Sequence, residues 1–426
     1  MSCLISTNTL DSILRITIFR SLFKDRVFQL VVKMLGHDPH ECDKSECAEI
    51  FSLLAESAEF SCHAIIGNAW QNHLLNLMIA DDNVFARKAE LSGMTLIGDS
   101  LVRQMKLDLR ALRTLHDVDI SQFLTTHPPL DGFKAREDKN QDPAYTAIKT
   151  LLFENQDWRN MIEPLADYFA KNGSGDFGAY RAFRWHNGAL KGVESPDPVR
   201  FADLLEYDWQ RESVKRNTEK LLANLPTNNL LLYGDRGTGK SSTVKSMLNE
   251  FWESRLRIVE VSKESLIELP AILTILRRRP EKFILFLDDL SFEEDETQYK
   301  ALKAVLEGGL EARPSNVVLY STSNRRNLIR EQFSDRALVI EDDEVHPNDT
   351  MQEKLSLSDR FGIKLPFLSP DQDEFLGMVS EMAARAGIEM TDDIRKQALQ
   401  WQHARSGRSA RQFVDYIIGE QALERN

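Results

Sequence analysis

Gly234-Asp235-Arg236-Gly237-Thr238-Gly239-Lys240-Ser241 is the stretch that decides the fold, and it fits the pattern G-x-x-x-x-G-K-[ST] at every position. The glycines let successive backbone N–H groups converge on a phosphate. Lys240 is expected to reach the β- and γ-phosphate oxygens, and the Ser241 hydroxyl to ligate Mg²⁺. This stretch, called the phosphate loop below, therefore predicts an ATP and Mg²⁺ site, and we include the following Ser242 among its nucleotide-binding residues.

The residues on both sides of the phosphate loop have the pattern that such a site requires. Asn229–Tyr233 is an apolar run, typical of a buried parallel strand. After the loop, Val244, Met247 and Leu248 recur at helical spacing, and a helix N-terminus favours anions. The alternative is a glycine-rich turn between a strand and a helix with no ligand.

A second apolar run, Phe283–Leu287, ends in two carboxylates, Asp288 and Asp289. The carboxyl end of a parallel strand is where Mg²⁺ and the attacking water are held in this class of site. We expect Asp288 to hold Mg²⁺ through water and Asp289 to polarise the attacking water. The alternative is a strand that simply ends at a polar turn.

Polar and basic residues farther along the chain complete the predicted site. Asn324 follows the apolar run 317–322 and is expected to orient the water and sense the γ-phosphate. Arg360 is the candidate arginine finger, which stabilises charge on the transferring phosphoryl group. Arg336, in a similar Ser-Asp-Arg triplet, is the weaker rival. Arg411 is expected to reach the γ-phosphate from the last helix.

The patterns divide the chain into three parts. Residues 1–198 are predicted to be a mostly helical domain and linker, and residues 369–426 a helical lid of three helices. Between them, residues 199–368 alternate strand and helix patterns, which is typical of an α/β domain with a mainly parallel sheet. The strands are expected at 229–233, 257–261, 283–287, 317–322 and 362–367. The aromatic and basic segment Tyr180–Trp185 can stack on nucleobases, but a packed linker is favoured because aromatic residues chiefly supply buried area.

Composition limits the kinds of partner. The 426 residues include 53 Lys and Arg against 66 Asp and Glu, a net charge of −13. This balance argues against general coating of nucleic acid or of an anionic membrane. An apolar stretch across residues 13–23, interrupted by Arg15 and Arg20, predicts an amphipathic helix that packs on its own domain, with attachment to a membrane surface as a minor alternative. We find no signal-peptide pattern and no apolar run of spanning length.

Cysteine usage favours a reducing cytoplasm, because four cysteines in a chain this long make no disulfide framework. Three of them lie close in sequence to three histidines, but the spacing is a poor match to a zinc site. These residues are Cys42, Cys47, Cys62, His37, His40 and His63, and the fourth cysteine is Cys3.

The motifs in this order resemble the AAA-plus superfamily of P-loop ATPases, and several phrases are similar to a bacterial family of predicted ATPases known as domain of unknown function 815. The phrases cover the chain from about residue 180 onward. They are Leu230–Ser242, Phe286–Phe292, Leu302–Gly309, Ser321–Arg326, Lys354–Gly362 and Ser406–Phe413.

The resemblance implies an ATP-binding core that assembles into a ring or dimer, with Arg360 acting on the ATP of the neighbouring subunit. It also implies that Leu204–Tyr207 flanks the adenine, with Tyr207 as a nucleotide-binding residue. The chain departs from the superfamily in one place: Asp289 stands where glutamate is usual, and the shorter carboxylate predicts slow turnover.

Three functions follow from these patterns. The first is an ATPase that couples Mg²⁺-ATP binding and hydrolysis to remodelling or assembly of an unidentified protein partner. The second is an ATP-gated initiator or loader that binds nucleic acid with little turnover. A kinase of small molecules is disfavoured, because the sensor and finger positions are filled and no separate acceptor pocket is evident.

Overall fold

The structure, a computed structural model, describes residues 7–37, 43–61, 63–135, 143–251, 253–292, 298–307, 313–324, 357–401 and 405–424. Two compact units divide the chain, Met1–Ala179 and Tyr180–Asn426. This division falls earlier than the predicted boundary at residue 198. The physical reason is that residues 182–192 form two strands of the second unit's sheet.

The first unit is helical, as its apolar periodicity predicts. On the helix at 99–116, Met105, Leu109 and Leu112 recur at helical spacing and are fully buried. In the described part of this unit the α-helices are α1 (Thr7–Leu14), α2 (Arg26–Met34), α3 (Lys44–Glu59), α4 (Ala69–Ile79), α5 (Val84–Ser92), α6 (Asp99–His116), α7 (Pro143–Glu154), α8 (Ile162–Asn172) and α9 (Gly175–Ala179).

The prediction of one continuous amphipathic helix across residues 13–23 is wrong. The helix α1 ends early in this segment, and a 3-10 helix follows after a turn. The buried carboxylate of Asp108 explains the break, because it accepts the backbone N–H groups of Thr17, Ile18 and Phe19. Donors that bond to a side chain cannot continue the helical hydrogen-bond series. Most apolar side chains of the segment are buried in the unit, as predicted, whereas Leu14 is 49% exposed.

The residues considered for zinc give no metal site in the part of the chain that is described. Cys47 is buried, and its thiol donates to the carbonyl of Phe123 at 3.4 Å. Cys3, Cys42, Cys62 and His40 lie outside the described residues. Among the residues that are described, no three His, Cys, Asp or Glu side chains are grouped to hold a metal ion. The same residues include no helix that is both long and apolar enough to cross a membrane.

The second unit is built on a sheet that has seven strands within the described residues, in the order β2-β1-β4-β5-β6-β3-β7. The pair β1–β2 is antiparallel and the other neighbouring pairs are parallel. The strands are β1 (Ala182–His186), β2 (Ala189–Gly192), β3 (Leu230–Gly234), β4 (Leu256–Glu260), β5 (Lys282–Leu287), β6 (Val317–Ser323) and β7 (Ile363–Phe367).

The five predicted strands are confirmed, with ends that shift by about one residue. The segment Tyr180–Trp185, predicted as a packed linker, contributes β1 and buries Phe183 and Trp185. Its packing follows the prediction, whereas its strand conformation does not.

Helices cover the sheet and then form the lid. Three helices after β7 pack around their own apolar core, as predicted for a lid. The helices of this unit within the described residues are α10 (Asp208–Leu222), α11 (Lys240–Glu250), α12 (Leu269–Arg277), α13 (Gln298–Glu307), and, in the lid, α14 (Gln372–Arg385), α15 (Asp392–Trp401) and α16 (Gly407–Glu424). A mainly parallel sheet followed by a helical lid is the α/β arrangement that the motifs predict.

Candidate nucleotide site

The strand order brings three separate parts of the sequence to one edge of the sheet. Strand β6 follows β3 and β5 in the chain but lies between them in the sheet. All three run parallel, so the loops that follow them leave at the same edge. The polar residues after β6 therefore lie between the phosphate loop and the acidic pair, Asp288 and Asp289.

The phosphate loop has a backbone that requires glycine. Gly234, Gly237 and Gly239 have φ angles of 133°, 78° and 91°, which side chains rarely tolerate. A Cβ atom on Gly234 would lie 2.1 Å from the carbonyl oxygen of Phe367. Thr238 closes the turn by donating its hydroxyl to the carbonyl of Asp235 at 2.8 Å. The helix α11 then begins at Lys240, so its N-terminal N–H groups face the cleft.

The Lys240 ammonium is held at the centre of the site. It donates to the carbonyls of Gly234 at 2.8 Å and Asp235 at 2.6 Å, and to Oδ1 of Asn324 at 3.2 Å. Burial lowers the pKa of Lys240, and the nearby aspartates offset this only in part. The predicted phosphate-binding lysine and the predicted sensor residue are thus in direct contact.

The predicted Mg²⁺ residues are also in contact. The Ser241 hydroxyl donates to Oδ1 of Asp288 at 2.5 Å, and the Thr322 hydroxyl donates to the same oxygen at 2.6 Å. Hydroxyl and carboxylate oxygens are the donors that Mg²⁺ prefers, usually one or two protein ligands together with phosphate and water. Ser241 and Asp288 therefore fit a Mg²⁺ ion that also binds a triphosphate.

Asp289 has a conformation that suits its short side chain. Its φ angle is 50°, in the left-handed region that Asp and Asn adopt more readily than most residues. Its backbone N–H donates to the Thr322 hydroxyl at 2.8 Å, and its carboxylate accepts a hydrogen bond from Nδ2 of Asn324. Asn324 thus connects Lys240 to Asp289, as expected for a side chain between the phosphates and the attacking water.

A cleft of about 1250 Å³ opens between the sheet edge and the lid. Its lining includes residues 236–242, the acidic pair and Asn324, together with Leu204, Leu205 and side chains of the lid. The lid residues that sequence reasoning missed are Met378, Met382, Arg385, Ala386, Gln412, Val414, Asp415 and Ile418. These side chains follow the ordinary pattern of helices, so no sequence signal separated them from core residues.

The arginines predicted for catalysis lie in different places. Arg411 lines the cleft together with its neighbour Arg408. Arg360 is absent from the described residues that line the cleft, and its guanidinium pairs with Glu307 at 2.8 Å. Arg336 lies outside the described residues.

Tyr207 lies at the junction of the sheet and the lid. Its hydroxyl donates to the carbonyl of Leu368, and its ring packs against Phe367 with centroids 4.9 Å apart. Burial raises the pKa of Tyr207 to about 12. Leu204 and Leu205, predicted to flank the adenine with Tyr207, line the cleft, whereas Tyr207 itself is not among the described residues that do.

Comparisons with solved structures give weak similarity over about half of the chain. The Thermotoga maritima RuvB Holliday junction branch migration motor has 16% identity and a TM-score of 0.35, covering 52% of this chain and 64% of that one. The FIGL-1 AAA domain in complex with ADP has 14% identity and a TM-score of 0.35, covering 51% and 72%. The replication initiator DnaA bound to AMPPCP and single-stranded DNA has 16% identity and a TM-score of 0.36, covering 53% and 67%.

No curated protein matches the chain. A family model does match, over residues 178–421, which contain the sheet, the site and most of the lid. The phrases that resembled this family in the sequence lie within that range. The chain therefore belongs to the family described as Protein of unknown function (DUF815).

Proposed function

We propose that this protein binds Mg²⁺-ATP, hydrolyses its β–γ phosphoanhydride bond, and couples this cycle to remodelling or assembly of a protein partner. The observation that carries the proposal is the run of contacts from Lys240 through Asn324 to Asp289, beside the contact of Ser241 with Asp288. These contacts join the groups that would bind phosphate, metal and water, and all of these residues line one cleft.

Each residue has a role set by its position. The loop N–H groups and Lys240 would hold the phosphates, and Ser241 and Asp288 would hold Mg²⁺, which neutralises phosphate charge when bound. Asp289 would accept the proton of the attacking water, while Asn324 keeps that carboxylate oriented. Arg411 would approach the γ-phosphate from the lid.

We also propose that the chain assembles with itself and that Arg360 acts on the ATP of a neighbouring subunit. The Arg360 side chain is 45% exposed and pairs with Glu307 on the same surface. A guanidinium that is accessible but does not line the described part of its own cleft is suited to a site in another copy.

A second candidate function is an ATP-gated switch, of the kind that loads onto nucleic acid with little turnover. It is favoured by the short Asp289 carboxylate, which is bound by Asn324 and held in a left-handed backbone conformation. A carboxylate that is short and already paired would activate water slowly. The acidic net charge of −13 argues for a protein client over nucleic acid.

The test is calorimetry with ATP and steady-state phosphate release by the full chain, with Lys240→Ala and the matched control Lys245→Ala. We expect Lys240→Ala to lose at least about 100-fold in affinity, because charge-assisted hydrogen bonds to phosphate are strong. Lys245, also on α11 and outside the cleft-lining residues, should be replaceable without effect.

The outcomes separate the two candidates. Many turnovers per subunit support the ATPase, and tight binding with almost no turnover supports the switch. No affinity of the folded protein for any purine nucleoside triphosphate rejects both.

A further inference from the structure

We infer that Thr322 is a positioning residue that sets both members of the acidic pair through a single hydroxyl. The inference rests on the proposed function of the site. In the sequence, Thr322 is one of several hydroxyl residues at the end of an apolar strand; it lies in the phrase Ser321–Arg326, but no role was predicted for it.

The Thr322 hydroxyl makes two hydrogen bonds, one to each acidic residue. It donates to the carboxylate of Asp288 at 2.6 Å and accepts the backbone N–H of Asp289 at 2.8 Å. The residue is only 1% exposed, so water cannot substitute readily for either bond. One buried group therefore orients the metal-binding carboxylate and fixes the backbone that carries the water-activating carboxylate.

The backbone around Asp289 needs this support. Strand β5 ends at Leu287, and Asp289 then takes a φ angle of 50°. The next N–H, that of Leu290, donates to the carbonyl of Thr322 at 2.7 Å. Thr322 thus stabilises the turn through both its side chain and its backbone. Of these hydrogen bonds, only those of the hydroxyl depend on which residue stands at this position.

The adjacent residue Ser321 offers a matched control. Its hydroxyl lies on the same strand and is equally buried, but it contacts the carbonyl of Leu287 at 3.3 Å rather than a carboxylate. A change at Ser321 removes a buried strand hydroxyl and leaves the acidic pair untouched.

The experiment compares Thr322→Val, Thr322→Ala, Thr322→Ser and Ser321→Ala with the unchanged protein. Calorimetry with a non-hydrolysable ATP analogue, in Mg²⁺ and in EDTA, gives the gain in affinity that Mg²⁺ provides. We expect this gain to fall about tenfold in the Val and Ala variants, the size expected from one hydrogen bond to a charged group. Affinity in EDTA should be unchanged, and Thr322→Ser and Ser321→Ala should keep the full gain.

Turnover provides the second readout. The kcat of the Val and Ala variants should fall about tenfold or more with little change in KM for ATP, since the hydroxyl orients groups that act on the reacting end. If Thr322→Val does not fold correctly, Thr322→Ala can be used to make the same comparison.

The inference is overturned if a folded Val or Ala variant keeps the full Mg²⁺ gain, or if Thr322→Ser loses as much as Thr322→Val. In either case the proposed function stands. If the unchanged protein binds no nucleotide, the proposed function fails as well, so the two failures are distinguishable.

Discussion

The carboxylate of Asp235 accepts two hydrogen bonds from Ser369, one from the backbone N–H and one from the hydroxyl, each at 2.7 Å. Asp235 belongs to the phosphate loop, and Ser369 to the segment that joins β7 to the lid. The Asp235 N–H also donates to the carbonyl of Phe367 at 2.9 Å. The phosphate loop is therefore hydrogen-bonded directly to the segment that connects β7 to the lid.

This contact predicts a stability difference that depends on pH. The bonds from Ser369 lower the pKa of Asp235 below its ordinary value of 3.8. Their contribution is fully present above that value and is lost as the pH falls through the lower folded pKa. We expect Asp235→Ala to lower the free energy of unfolding at pH 7 by no more than about 1 kcal/mol, because the site is exposed, and to lower the melting temperature slightly.

The measurement is the difference in melting temperature between the two proteins from pH 7 down to pH 3. This difference in melting temperature should become smaller as the pH falls. A double-mutant cycle with Ser369→Ala isolates the hydroxyl bond. A difference that is the same at every pH would show that the carboxylate charge is not involved.

The second prediction concerns substitutions of Asp289. Asp289→Asn should keep nucleotide affinity and lose at least about 100-fold in turnover, because it removes the proton acceptor. Asp289→Glu should not raise turnover, although glutamate is usual at this position in the superfamily that the motifs resemble. The φ angle of 50° disfavours the longer residue by about 1 kcal/mol, and the carboxylate would move away from Asn324.

Phosphate release and melting temperature test this prediction together. We expect Asp289→Glu to be less stable and no faster than the unchanged protein. Faster hydrolysis by Asp289→Glu would mean that the reach of the carboxylate, not the backbone, limits the reaction.

The third prediction separates two glycines of the phosphate loop. A Cβ on Gly234 would lie 2.1 Å from the Phe367 carbonyl oxygen, whereas a Cβ on Gly239 meets nothing within 4 Å. Gly234→Ala should therefore prevent correct folding of the loop and lower the melting temperature strongly. Gly239→Ala should cost about 1 kcal/mol from its left-handed φ and still lose ATP affinity, because it disturbs N–H groups aimed at phosphate.

Melting curves and ATP titrations of the two variants check this order. Equal losses of stability in the two variants would contradict the steric clash expected at Gly234.

The fourth prediction tests whether Arg360 acts between subunits. Arg360→Ala and Lys240→Ala should each be inactive, and mixing them should restore part of the turnover, because an intact finger then meets an intact phosphate loop. Glu307→Gln is the matched control for the loss of the 2.8 Å ion pair. This pair is exposed, so its loss should change stability by less than about 1 kcal/mol and leave turnover in place.

Turnover of mixed proteins and the subunit mass in ATP solution are the measurements. Absence of complementation, together with a monomer in ATP, would contradict a role for Arg360 in the site of a neighbouring subunit.

Short contiguous patterns were enough to predict most of the second unit. Lys240 and Ser241 lie within the same loop as the glycines, so one local motif describes their chemistry. The strands β3, β5 and β6 are mostly buried apolar runs, as expected where both faces of a parallel sheet are covered. Strands β1 and β2 were missed because they are short and mostly half-exposed, with Phe183 and Trp185 as the apolar signal.

The sequence alone determined the phosphate loop, the acidic pair, the core strands and the lid, because each depends on interactions among residues close together in the chain. Only the tertiary structure decided that β6 lies between β3 and β5, which brings Asn324 against Lys240 and Asp289. It also decided the partners of Thr322, Arg360 and Tyr207. Strand order and side-chain contacts across the sheet depend on how distant segments pack against each other. The local periodicity of the sequence contains no information about that packing.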